Sequence, residues 1–190
     1  RQAYRVFESL GCQMKPVEMD AHGMNVQLLE ESGADIAYVM PSHQYPTGVV
    51  MPVKRRQELL SWAGRGEKRY LIEDDYDSEF RYRGKPVPAL QGMDIQGKVI
   101  YMGTFSKSIA PAIRVGYLVL PAPLLAVYKR KCGFYASTVS RIDQKIIYQF
   151  LTEGHYERHL NRMRAIYKGK HDVLMSELKT LGTEFIVQGE

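Results

Sequence analysis

Ile100-Tyr101-Met102-Gly103-Thr104-Phe105-Ser106-Lys107-Ser108 opens as an apolar run and closes in small residues that carry a single lysine. The run reads as a β-strand and the small residues as the loop leaving its carboxyl end, where ligands collect in open α/β sheets. To attack an aldehyde, a lysine there must be partly neutral, a state that desolvation and a neighbouring cation favour. Thr104 and Ser106 flank Lys107 with hydroxyls, and Arg114 follows with a planar fork suited to a phosphate. A lysine, hydroxyls and a guanidinium together describe a phosphorylated aldehyde. Taken alone, Ser106-Lys107-Ser108 reads first as an exposed turn.

Outward from this stretch, short apolar runs alternate with helical patterns. Strands are expected near 14–19 and over 36–40, 70–75, 99–102 and 115–120, with helices over 26–32 and 53–63. Strands separated by helices call for right-handed crossovers and a mostly parallel sheet lying between helices. From Ala122 onward only helices are expected, including 141–151 and a longer one over 155–181 that Gly182 ends; 184–188 reads as a further strand. Ala3, Val6, Phe7 and Leu10 form one helical stripe that ends at Gly11. A start inside a helix and a stop inside a strand lead us to expect a domain cut at both ends.

The 190 residues, 45% hydrophobic, suffice for one sizeable core, hence one domain or part of one. The net charge of +5 is spread along the chain, and its densest cluster, 129–131, is short, so a solvated basic surface is expected rather than direct contact with DNA. Two cysteines, Cys12 and Cys132, make no disulfide framework and fit the reducing cytoplasm. The apolar stretch 115–128 is broken by Pro121 and Pro123, well short of a membrane span, which takes about 20 residues. No Gly-rich phosphate loop argues for a nucleotide.

Two further stretches carry chemistry. In Glu73-Asp74-Asp75-Tyr76-Asp77-Ser78-Glu79-Phe80, strand alternation puts Asp74 and Tyr76 on one face and Asp75 on the other. A carboxylate at a strand end can pair with a pyridinium nitrogen, and the adjacent Tyr76 can bond a phenolic ring oxygen. So many carboxylates would also suit magnesium or a solvated acidic turn. Pro41-Ser42-His43-Gln44-Tyr45-Pro46-Thr47-Gly48, after the strand ending at Met40, reads as a rigid turn able to support a cofactor ring. His155 and His159 share helical spacing without a third ligand and read as a solvent-facing helix, while Tyr128, Phe134 and Tyr135 suit either packing or a partner.

The three stretches, in this order, resemble the fold-type-I aminotransferases and, more closely, the aminotransferase-like domain of MocR-type transcriptional regulators of the GntR family, whose GabR subgroup responds to an amino acid. The resemblance covers essentially the whole chain. It implies an α/β, three-layer large domain of the pyridoxal-phosphate-dependent transferases. Residues 1–153 would be that domain in part, and 154–190 a long helix leading towards a small carboxyl-terminal domain. It implies pyridoxal 5'-phosphate as cofactor, Lys107 as the internal-aldimine lysine, Asp74 as partner of the pyridine nitrogen and Tyr76 as ligand of the ring oxygen. Thr104, Ser106 and Arg114 would form part of the phosphate cup. Where ordinary aminotransferases carry Asn-Pro-Thr-Gly, this chain has Tyr45-Pro46-Thr47-Gly48, so Gln44 or Tyr45 replaces the asparagine only in part. The family's phosphate loop and ring-stacking aromatic would lie before Arg1, and the carboxylate-binding arginine of the small domain after Glu190. Its implied partners are an amino acid or other amino compound and a second copy of the chain in a homodimer, with DNA reached through a separate domain. Two functions compete: an amino-compound sensor, in which the ligand displaces Lys107, and a class I/II aminotransferase.

Overall fold

Asn25 caps the helix that follows it by accepting from Gln27 N at 3.0 Å and Leu28 N at 3.2 Å. Ser140 does the same for a later helix through Asp143 N at 3.1 Å. Residues 2–80, 87–180 and 182 are described by a computed structural model of the chain. Its elements run α1 (Gln2–Ser9), β1 (Met19–Asp20), β2 (Gly23–Met24), α2 (Val26–Glu31), β3 (Ile36–Val39), α3 (Val53–Gly64) and β4 (Tyr70–Asp75). A short 3-10 turn (Ser78–Phe80) follows, then α4 (Leu90–Met93), β5 (Val99–Thr104), α5 (Phe105–Ser108), β6 (Gly116–Val119), α6 (Ala122–Cys132), α7 (Arg141–Thr152) and α8 (His155–Lys179).

The main sheet has the order β3-β4-β5-β6, with β3, β4 and β5 parallel and β6 antiparallel to β5. Register aligns Ala37 with Leu71 and Leu71 with Val99. These residues bury one face of the sheet with Leu29 of α2 and Leu59, Trp62 and Ala63 of α3. Removing this apolar surface from water is the main stabilising force. On the other face, Phe7 of α1 meets Tyr38 edge-on at 6.1 Å. Helices therefore lie on both faces of the sheet, the three-layer α/β arrangement expected.

Differences from the sequence reading have local causes. The strand expected near 14–19 shrinks to Met19–Asp20, paired only with Gly23–Met24. Pro16 lacks the N–H that a ladder needs. The strand over 115–120 is present as β6 but reverses direction, because 105–115 is shorter than the crossover of about a dozen residues that parallel pairing takes. The strand expected over 184–188 lies outside the described residues. No helix among the described residues is long and apolar enough to cross a membrane.

Loop 41–51 is fixed to α3 by Arg56, whose guanidinium donates to the carbonyls of Pro41 at 2.7 Å, Met51 at 3.0 Å and Pro88 at 2.9 Å. Buried Glu73 of β4 accepts from Leu90 N and Gln91 N, both at 2.9 Å, and so caps α4, with Arg56 at 4.0 Å. The loop that leaves β3 and the start of α4 are thereby held against α3 and β4.

Candidate functional site

The acidic run after β4 disperses onto separate partners. The Asp74 carboxylate accepts from the Tyr38 hydroxyl on the face shared with α1. Asp75 accepts from the Tyr101 hydroxyl at 2.8 Å and the Ser78 hydroxyl at 2.7 Å. Burial and the bond to Asp74 push the Tyr38 phenol up, and burial and the bond to Asp75 do the same to Tyr101. Both phenols therefore stay protonated donors.

Asp77 takes bases instead. Its Oδ2 lies 2.7 Å from Lys107 Nζ and 3.0 Å from His43 Nδ1. The carboxylate is buried, with a side-chain exposure of 6%, whereas Lys107 and His43 are half-exposed at 49% and 48%. Burial pushes the Asp77 carboxyl up, but the hydrogen bonds from His43 and Lys107 outweigh it and hold the group below the usual carboxylate range. Lys107 was expected beside a cation and out of water; the structure puts a carboxylate against it and leaves it half in solvent.

Lys107 Nζ also stands 5.0 Å from the centroid of the Tyr76 ring. The Tyr76 hydroxyl donates to the His43 carbonyl at 2.9 Å, and the two rings are stacked 6.4 Å apart. Burial, then the charges of Asp77 and Asp74 and the proximity of Tyr45, push the Tyr76 phenol up to about 12. Tyr45 itself is 70% exposed. Loop 41–48 closes on Gly48, whose φ of +73° suits glycine and whose N–H donates to Gln44 O at 2.7 Å.

Thr104 caps α5 by accepting from Ser106 N at 3.1 Å, and its hydroxyl reaches Val115 O at 3.3 Å. The Ser106 hydroxyl donates to Ile113 O at 2.6 Å. Both hydroxyls thus brace the loop that bears Arg114. Arg114 is exposed, beside a cleft of about 300 Å³ whose walls include Val115, Val139 and Ile147. The structure therefore gathers Lys107, Tyr76 and Tyr45 around the ends of β4 and β5, keeps Asp74 on the adjoining strand face, and turns Arg114 outward.

Helix α8 packs on the same loops. Arg164 Nε donates to Glu79 O at 2.7 Å, Tyr167 meets Phe80 at 5.2 Å, and Tyr156 meets Phe105 at 6.3 Å. His155 is exposed, but His159 is half-buried with its ring 6.0 Å from Phe150, so this stretch faces solvent only in part. Phe134 and Tyr135 are exposed at 76% and 69%.

Sequence reasoning missed Asp77 as the partner of Lys107, and His43 as the second base on that carboxylate. They lie 34 residues apart from each other, and Asp77 lies 30 from Lys107, so only the fold unites them. The usable signal was position: Asp77 falls beyond the last residue of β4, where strand alternation no longer governs direction.

The family model for aminotransferase class I and II matches residues 2–189. The chain is 40% identical over 190 residues to the uncharacterized HTH-type transcriptional regulator YdeL of Bacillus subtilis, covering 100% of this chain and 41% of that protein. It is 36% identical over 168 residues to the probable rhizopine catabolism regulatory protein MocR of Rhizobium meliloti, covering 88% of this chain and 34% of the relative. Among solved structures it resembles the kynurenine aminotransferase of Pyrococcus horikoshii, in complex with PMP, at a TM-score of 0.77 and 30% identity, over 93% of this chain and 45% of the other. The chain thus spans less than half the length of each of these relatives.

Proposed function

The chain belongs to the aminotransferase class I and II family, and on that premise we propose that it is the effector-sensing part of a MocR-type transcriptional regulator that binds pyridoxal 5'-phosphate through Lys107. The donor set suits that group. Lys107 is a primary amine half-open to solvent at the end of β5, Asp74 a carboxylate on the neighbouring strand, and Tyr76 a phenol kept protonated beside the lysine. When bound, the cofactor supplies an aldehyde that condenses with primary amines and a ring that withdraws electrons.

In this reading Lys107 is the covalent anchor, Asp74 pairs with the ring nitrogen, and Tyr76 with Tyr45 faces the ring oxygen. Thr104, Ser106 and Arg114 hold the phosphate, the hydroxyls giving up their present carbonyl partners. The observation that carries the reading is the convergence of Lys107 and Tyr76 at the ends of adjacent parallel strands, Nζ 5.0 Å from the ring. An amino compound that takes the place of Lys107 would be the signal. Residues 1–153 would belong to the large domain and 154–190 lead to a smaller one, with α8, which grips the backbone at Glu79, carrying the change outward. A homodimer covering Phe134 and Tyr135, a cytoplasmic location and a separate DNA-binding domain complete the proposal.

A transaminase is the second reading, favoured by the likeness to the Pyrococcus enzyme. In it Lys107 also moves a proton at the substrate's α-carbon. The test is to incubate the cofactor-loaded full-length protein with amino acids and follow both DNA affinity and keto-acid production. A change in DNA affinity without keto acid supports the sensor; stoichiometric keto acid without a change in DNA affinity replaces it with the enzyme.

A further inference from the structure

Where Asp74 and Asp75 accept from hydroxyls and Glu73 is met by Arg56 at 4.0 Å, Asp77 of the same acidic run takes two bases on a single oxygen. Its buried Oδ2 receives Lys107 at 2.7 Å and His43 at 3.0 Å, and neither donor is buried itself. A buried acceptor met by two half-exposed donors is the anchored end of both contacts. The lysine ammonium is held from a second side by the face of Tyr76, 5.0 Å from its centroid. The backbone of His43 is tied in turn by the Tyr76 hydroxyl at 2.9 Å, so the carboxylate and both its donors form one small unit.

We propose that Asp77 is a positioning residue that receives the ammonium of Lys107 whenever that lysine is not covalently engaged, and so favours displacement of Lys107 by an amino ligand. This rests on the reading of Lys107 as the cofactor-anchoring lysine. In the exchange, the ligand nitrogen replaces Nζ on the aldehyde carbon. One C=N bond forms as one breaks, an ammonium enters and an ammonium leaves, and no oxidant, reductant or net proton is needed. Asp77 acts on one side of this balance only, because it stabilises the leaving ammonium. His43 keeps the carboxylate turned towards Lys107.

The test has two readouts. In the first, the full-length protein loaded with pyridoxal 5'-phosphate is titrated with methylamine and reduced with borohydride, and the phosphopyridoxyl mass remaining on the Lys107 peptide is measured. Asp77→Asn is expected to raise the methylamine concentration for half-displacement about threefold to tenfold, and Asp77→Glu to restore it towards the wild-type value. In the second, the cofactor-free protein is treated with acetic anhydride. Lys107 is expected to react at least about threefold more slowly than exposed Lys54 in the wild type, and to lose that protection in Asp77→Asn. The wild-type comparison needs no variant and stands even if Asp77→Asn fails to fold. Equal reactivity of Lys107 and Lys54, or an unchanged or lowered half-displacement in Asp77→Asn, overturns the proposal. Absence of any label on wild-type Lys107 instead overturns the reading on which it rests.

Discussion

The Tyr76 hydroxyl donates to the His43 carbonyl across 2.9 Å, joining the turn that leaves β4 to the loop that leaves β3. The same ring carries Lys107 on its face. One phenol thus organises chain segments from three strand ends, and its raised pKa keeps it a donor throughout the physiological range.

Tyr76→Phe removes that bond and leaves the ring. Urea denaturation is expected to show a loss of about 1 kcal/mol, the usual net worth of a hydroxyl-to-carbonyl bond. Under the proposed function, affinity for pyridoxal 5'-phosphate is expected to fall as well, because that reading assigns the Tyr76 phenol to the ring oxygen.

Arg56 and Glu73 are both fully buried and 4.0 Å apart, so removing one takes an opposite charge from beside the other while its backbone hydrogen bonds remain. Arg56→Met is expected to cost about 3–5 kcal/mol, more than a surface ion pair would. Glu73→Gln added to it is expected to restore part of the loss, because it removes the buried carboxyl that burial already pushes up, while its one amide oxygen keeps one of the two bonds from the α4 backbone. Denaturation of the two single variants and the double variant checks the coupling.

Asp77 makes stability depend on acidity. Its folded-state pKa is depressed below the ordinary value of 3.8, so its stabilisation is complete above that value and is lost as pH falls through the lower folded value. Asp77→Asn is expected to be about 1 kcal/mol less stable than wild type at pH 6, with the gap closing below about pH 4. Lys107 is half-exposed, so the effect is held to the scale of a screened pair.

Gly103 sits in β5 with its α-carbon against the Tyr117 ring, where a methyl group would overlap ring atoms. Gly103→Ala is expected to destabilise by about 1–3 kcal/mol, and Tyr117→Ala in the same chain to relieve part of it. Thermal unfolding of the pair of variants measures the relief. A full-size loss in the double variant would mean that strain in the strand, not the ring, is responsible.

The parts legible in the sequence are those fixed by local pattern. The runs 70–75 and 99–102 declare themselves as strands by apolar content, the second running on to Thr104 in the structure, and Lys107 by standing alone among small residues after it. Asp74 and Asp75 were separable by alternation, and the structure gives them Tyr38 and Tyr101 as partners from opposite faces. The direction of β6 was not legible, because it depends on the length of connection that a turn of helix consumes. The pair Asp77–Lys107 was not legible either. It depends on how the turn after β4 folds back over α5, which is set by contacts among residues far apart in the chain. Arg114 suits a phosphate by its planar fork, and the family resemblance implies that role, yet it lies on the surface in a loop that Thr104 and Ser106 brace from within.

Every role proposed for this site depends on Lys107 carrying the cofactor. The most direct measurement is to load the full-length protein with pyridoxal 5'-phosphate, reduce with borohydride and map the added mass by peptide, with Lys107→Ala treated alongside. One modified peptide, containing Lys107, is expected, and none in the variant. A label on another lysine, or an equal yield in Lys107→Ala, would contradict it.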